Sequence, residues 1–334
     1  MKRLPLTIAG TMVLSFALAA VSYAEINDKV QMLLGNPDHA DAKNSKHFLI
    51  KRPQYALSYN DELHFPNWVS WKLDASDIGR EPRGQFQPDN SLPSNFSVIT
   101  SNDYTSSGYD RGHNCPSADR SASSTDNAAV FLMSNMTPQA HGMNAGPWEK
   151  LESESRELAK RGNSLYILAG HGFSSPRHNT MGKKGIAVPD FGWKVVVIVP
   201  RGKKIDQNCR VIAVRMPNIN TIAKKSWQEY ITTAGDIEKA TGLLFFDALP
   251  SKVAAALRAR RDGKEKAQPA TPEPSKAAGE ITIEEATKKG YVWVNLSSKK
   301  YWMPGTQFYG KTKRGKFLSE ADAKAAGYVA VKEQ

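Results

Sequence analysis

Four stretches of the chain gather apolar residues between turn-forming ones: 67–73 (NWVSWKL), 164–169 (SLYILA), 193–199 (WKVVVIV) and 210–214 (RVIAV). Each is short and rich in β-branched or aromatic side chains, and each predicts a strand. Helix-like stretches alternate with them at about 147–161 and 233–241. The pattern is mixed α and β with a substantial sheet. Regular βαβ spacing is absent and no glycine-rich phosphate loop follows a strand, which argues against a nucleotide-binding doubly wound domain.

The two ends of the chain read differently. Met1-Lys2-Arg3 precedes an apolar run and then Val21-Ser22-Tyr23-Ala24, small at the positions a signal peptidase inspects. Residues 1–24 are therefore expected to be a signal peptide, and the protein to be exported, periplasmic or secreted. The competing reading, a retained membrane anchor, suits the run less well because it is short and carries Thr7, Gly10 and Thr11. Residues 25–261 are expected to form one domain, followed by a linker at 262–279 that is rich in Ala, Pro, Lys and Glu. Residues 280–334 then read as a small basic β-rich module: 291–296, 299–302 and 308–310 are apolar and aromatic, and a helix-like 319–326 closes them. Its Trp and Tyr side chains could stack on bases, but a module this small needs aromatics inside.

Charge narrows the partners. The formal net charge is +12, and +10 once Lys2 and Arg3 leave with the signal. Such an excess favours polyanions, because each phosphate neutralised releases counterions. Solubility or surface adhesion would be served equally well by the same charge. Cys115 and Cys209 are the two cysteines, and in an oxidising compartment they could form a disulfide; two buried free thiols are the alternative.

Chemistry concentrates in two segments. Residues 108–120, GYDRGHNCPSADR, place an acid, a guanidinium and an imidazole within a few positions, with Gly112 allowing a turn or a close backbone approach. Hydrolysing a phosphodiester near neutral pH needs a base to activate water and positive charge to meet the charge developing on phosphorus. His113 has the right intrinsic basicity for the first task. The second segment runs from Met133 through Asn135, His141 and Asn144 to Pro147, Trp148, Glu152 and Arg156. Pro147 suits the first turn of a helix, where its missing N–H costs nothing. On that helix Trp148, Glu152 and Arg156 share a face, with Asn144 just before it. Without the first segment this face would be an ordinary core tryptophan beside a surface ion pair. With it, one amide oxygen and a nearby carboxylate make a sensible magnesium site, since that ion keeps much of its water. The clustered His or Cys of a zinc site are missing, as are the G-x-S-x-G, H-E-x-x-H and P-loop motifs.

Together these segments resemble the DNA/RNA non-specific endonuclease family. The resemblance spans roughly 45–250 and includes the NWVSW stretch at 67–71, Phe86-Gln87-Pro88-Asp89, the Asp110-Arg111-Gly112-His113 signature and the block 135–152. It implies an α+β chain: a ββα-metal nuclease domain with a central, mostly antiparallel sheet flanked by helices. It implies a sugar- and sequence-non-specific endonuclease acting on single- and double-stranded DNA and RNA and leaving 5′-phosphate ends. By the same resemblance His113 is the general base and Asn144 the ligand of Mg²⁺, with Mn²⁺ able to substitute. Glu152 hydrogen-bonds metal-bound water, and Arg111 and Arg156 hold the phosphate. An upstream arginine completes the set; Arg83 fits best, one residue short of the usual spacing, with Arg80 as rival. His141 belongs to the loop rather than to the base, and Asp119, Arg120, Asp126 and Asn127 carry no catalytic role. Two readings from other classes remain: a catalytically inactive exported nucleic-acid-binding protein, and an adhesion protein of the envelope.

Overall fold

The structure is a computed structural model that describes residues 30–263, 283–295, 298–311 and 315–331. The signal peptide read at 1–24 and nearly all of the 262–279 linker lie outside them. The chain divides into two compact units, 1–265 and 266–334. Among the described residues no helix is long and apolar enough to cross a membrane.

In the first unit the chain opens with β1 (Phe48–Lys51), β2 (Ala56–Asn60) and β3 (Phe65–Leu73), then leaves the sheet for β4 (Asp110–His113). Helix α1 (Ser124–Val130), strand β5 (Met136–Gln139) and helix α2 (Glu149–Lys160) follow. The chain returns through β6 (Asn163–Gly172), a short hairpin β7 (Asn179–Met181) and β8 (Ile186–Val188), then β9 (Phe191–Pro200) and β10 (Arg210–Pro217). It ends in α3 (Ala234–Thr241) and α4 (Ser251–Ala259). All four strands expected from the apolar runs form, each extended by a few residues. They build a six-stranded sheet in the order β1-β2-β3-β6-β9-β10, antiparallel throughout.

Alternation along each strand gives this sheet two cores. Val69, Trp71, Val196, Ile198, Ile212 and Val214 face one side, where Phe131, Trp148 and Leu151 cover them. Trp68, Trp193, Val195, Val197, Val211 and Ala213 face the other, under Ile237, Phe245, Phe246 and Leu257 from the α3–α4 region. Burying a large apolar side chain contributes about 1.5–3 kcal/mol, so both layers matter. Cys115 is buried in the first core and Cys209 in the second, and both are free thiols. The sheet separates them, which corrects the expected disulfide.

The second unit is built from α5 (Ile283–Lys288), β11 (Val292–Asn295), β12 (Lys300–Trp302), β13 (Gly315–Leu318), α6 (Glu320–Ala325) and β14 (Val329–Ala330). Its four strands order as β13-β11-β12-β14. Two helices rather than one belong to it, and residues 308–310 lie in turns rather than in a strand. Val292, Val294, Tyr301, Ala323 and Tyr328 form the core; Trp302 and Tyr309 are also buried, Tyr291, Trp293 and Phe317 are half-buried, and Phe308 is exposed.

Candidate active site

Strands β4 and β5 pair outside the main sheet with Arg111 opposite Pro138 and His113 opposite Met136. Alternation puts Arg111 and His113 on one face of this ribbon, and Gly112 on the other. Gly112 is needed for close approach, not for a turn: a Cβ there would sit 2.2 Å from Gln139 Cδ. Beyond His113 the chain is clipped to β5 by Asn135. Its side chain accepts from Cys115 N at 3.0 Å and donates to Cys115 O at 2.9 Å.

After β5 the backbone makes one turn at His141–Met143, kinks at Gly146, whose φ/ψ is non-helical, and enters α2 through Pro147 and Trp148. Proline therefore stands at the first turn, as expected. The passage is tight: a Cβ on Gly142 would meet Asn220 O at 2.1 Å.

The helix start, the ribbon and the segment before β4 enclose a cleft of about 260 Å³ lined by Arg83, Arg111, His113, Asn144, Glu149, Glu152 and Arg156. Every site residue expected from the sequence is there, and Arg83 rather than Arg80 supplies the upstream guanidinium. A larger cleft of about 520 Å³, around His47, Phe65 and His171, holds none of them. Residue chemistry, not volume, marks the site.

His113 lies between two phenyl rings, 5.6 Å from Phe86 and 4.8 Å from Phe131. Each phenyl carries a guanidinium on its other contact: Arg111 is 5.1 Å from Phe86 and Arg83 is 5.3 Å from Phe131. Burial, and then the Arg83 charge, lower the imidazole pKa to about 3. The ring is neutral at neutral pH. Nε2 is buried without a hydrogen-bond partner, while the residue as a whole is part-buried.

Asn144 Nδ2 donates to Asp110 Oδ2 at 2.9 Å, and His141 Nδ1 meets the same oxygen at 2.9 Å. An amide that faces a carboxylate must present its N–H, so Asn144 Oδ1 is turned away and takes no hydrogen bond among the described residues. His141, with a side chain 77% exposed, is an outer partner of Asp110. Asp110 was visible in the signature, but its task of orienting Asn144 was not.

Beneath the cleft, Glu152 Oε1 accepts from Lys194 Nζ at 2.9 Å, and Asp119 Oδ1 accepts from Arg156 Nη1 at 3.2 Å. Asp119 also accepts from Trp71 Nε1 at 3.0 Å. Asp119 is a buried anchor for Arg156 and Trp71. Burial pushes the Asp119 and Glu152 carboxyls up, while Arg156 and Lys194 respectively pull them back down. Glu149 at the rim accepts from Arg156 Nη2 at 3.4 Å. Lys194 was the signal available but unused: a lone lysine inside the most apolar strand of the chain. Among the described residues no group of three or more His, Cys, Asp or Glu side chains could hold a metal. One free amide oxygen with carboxylates nearby is instead a donor set that fits a hydrated Mg²⁺.

The family model described as DNA/RNA non-specific endonuclease matches residues 38–252. The chain belongs to that family. It is 38% identical over 243 residues to a nuclease of Nostoc sp., covering 70% of this chain and 86% of the relative. Human mitochondrial nuclease EXOG is 30% identical over 207 residues, covering 58% of this chain and 56% of its own length. A crystal structure of the EndoG/EndoGI complex contains a chain that superposes with a TM-score of 0.58 at 26% identity, covering 67% of this chain and 93% of that one. The α+β fold with its central antiparallel sheet is thus that of a nuclease, and this protein is an endonuclease.

Proposed function

We propose that this endonuclease is exported and cuts DNA and RNA in a Mg²⁺-dependent reaction, without regard to base sequence, leaving 5′-phosphate ends. The observation that carries the reading is the shared cleft: a neutral imidazole, an amide oxygen fixed outward and three guanidiniums all line it. Arg83, Arg111 and Arg156 hold the phosphate oxygens and meet the negative charge that grows on phosphorus. Such contacts grip backbone rather than base edges, which makes sequence and sugar indifferent. His113 takes the proton of the attacking water. Burial is the larger cause of the pKa near 3 and the Arg83 charge the smaller; an anionic phosphate offsets the second and so makes the ring a stronger base in the complex than in the free protein. Glu152 hydrogen-bonds water held in the cleft and orients it. The family is metal-dependent; Mg²⁺, held by Asn144 Oδ1 and water, would neutralise charge on the leaving 3′ oxygen. The signal read at 1–24 supports export to the periplasm or beyond.

Digestion of plasmid DNA and of RNA with Mg²⁺ or with EDTA, beside His113→Ala, tests this. Both polymers should be cut only with metal, and His113→Ala should lose about 10²–10⁴-fold in kcat. Salt-sensitive binding without cutting would favour the inactive binding protein instead.

A further inference from the structure

Lys194 is a charge at a strand position where an aliphatic residue would pack. It stands in β9 with 1% side-chain exposure, on the same face of the strand as Val196 and Ile198. Aliphatic residues of similar volume would fill that space without the desolvation that a buried ammonium suffers, and a buried ion pair is a weak source of stability. The position of the ammonium is nevertheless closely defined. Nζ lies 4.2 Å from the centre of the Trp148 ring and 5.7 Å from that of Trp71. Its hydrogen-bond acceptor among the described residues is Glu152 Oε1, at 2.9 Å. Trp148 opens the helix that carries Glu152, so the cation–π contact and the ion pair bind the same helix face to the sheet.

The consequence falls on Glu152. Its side chain is 11% exposed and lines the cleft together with Asn144. With Oε1 tied down to Nζ, Oε2 is the oxygen left to face the cleft, and the carboxylate cannot rotate to exchange them without breaking the pair. We propose that Lys194 is a positioning residue that holds one oxygen of Glu152 so that the other orients the water shared with Asn144. Lys194 touches neither substrate nor metal; it acts through Glu152. The inference rests on the role given to Glu152 under Proposed function.

Four proteins decide it: the wild type, Lys194→Met, Glu152→Gln and the double variant. Lys194→Met, folded by circular dichroism, should lose about tenfold or more in kcat while KM for DNA moves by less than about threefold. Its affinity for Mn²⁺, read from the electron paramagnetic resonance signal of free Mn²⁺, should fall several-fold. In the Glu152→Gln background the same substitution should change neither quantity, because there is no carboxylate left to aim. Equal losses in both backgrounds, or wild-type kcat in folded Lys194→Met, would overturn the inference and leave the nuclease reading intact. A wild type that neither cuts nor binds Mn²⁺ would overturn both. Should Lys194→Met fail to fold because Glu152 is left buried and unpaired, the double variant removes that charge. Its Mn²⁺ affinity then decides: equality with Glu152→Gln supports the inference, and a further loss overturns it.

Discussion

Two histidines of this nuclease are held in their neutral form, His171 buried and His113 part-buried with Nε2 enclosed, and this sets how the protein responds to acid. Burial and Arg83 bring His113 to about 3, and burial and Lys194 bring His171 to about 3. In the unfolded chain both return to about 6.5. Between these values the unfolded state binds more protons than the folded one, so unfolding free energy falls as pH falls. Above the unfolded value the two rings contribute no slope. Each can remove at most about 1.4 kcal/mol per pH unit once well below 6.5. The raised Asp77, Asp119 and Glu152 carboxyls act in the opposite sense at lower pH, so the histidine effect is cleanest just below neutrality. Unfolding free energies from urea titrations followed by tryptophan fluorescence should be level above pH 7 and should decline by about 1–3 kcal/mol in all between pH 7 and 5.5. A level profile through pH 5.5 would mean that the rings are hydrated or paired in the native state. The candidate base was legible in the sequence as a His close behind Asp110 and Arg111 in the 108–120 segment. Its environment was not, because Phe86 and Phe131 reach the ring from segments 27 residues before and 18 residues after it in the chain.

At the scale of elements the site depends on a two-stranded ribbon meeting a helix, and within that ribbon Gly112 of β4 closely approaches the Gln139 side chain of β5. A Cβ there would lie 2.3 Å from Gln139 Oε1 and 2.4 Å from Gln139 Cγ. Gln139 is fully buried and its Nε2 lies 3.0 Å from His171 Nε2, so the side chain has little room to withdraw. Gly112→Ala should therefore cost about 1–3 kcal/mol as an overpacked site and displace Arg111 and His113 on either side. Thermal melts and kcat should both fall in the same variant. Wild-type values for both would show that Gln139 moves aside freely. Periodicity revealed the strands of the main sheet and the helix at Glu149–Lys160 because each buries one regular face. It did not reveal the kink at Gly146 or the hydrogen-bond pairing of β4 with β5, since both are set by contacts with distant segments. In the C-terminal unit the strand Gly315–Leu318 went unread for a related reason. Its GKFL sequence is short and only half buried, and alternation over four positions carries little signal.

At the scale of the molecule, one sheet with a core on each face explains why the two cysteines stay apart. Cys115 follows the catalytic signature into the core that carries the site, and burial pushes its thiol up. Cys209 precedes β10 and packs in the opposite core, with the sheet between them. Sequence could state only that a bridge was permitted. Which face of the sheet each residue joins depends on register and connection, and neither is written in cysteine spacing. A bridge closing this loop would contribute about 4–5 kcal/mol in the chain-entropy model, equivalent to about ten degrees or more in melting temperature. The structure predicts instead that dithiothreitol leaves the melting temperature unchanged within about a degree, the loop being open in either condition. Thiol titration without reductant should find two reactive groups per chain after denaturation, and almost none before it, because both are buried. A protein purified from an oxidising compartment that yields no thiols on denaturation, and melts lower with reductant, would place the two cysteines on one side of the sheet and overturn the topology described for β9 and β10.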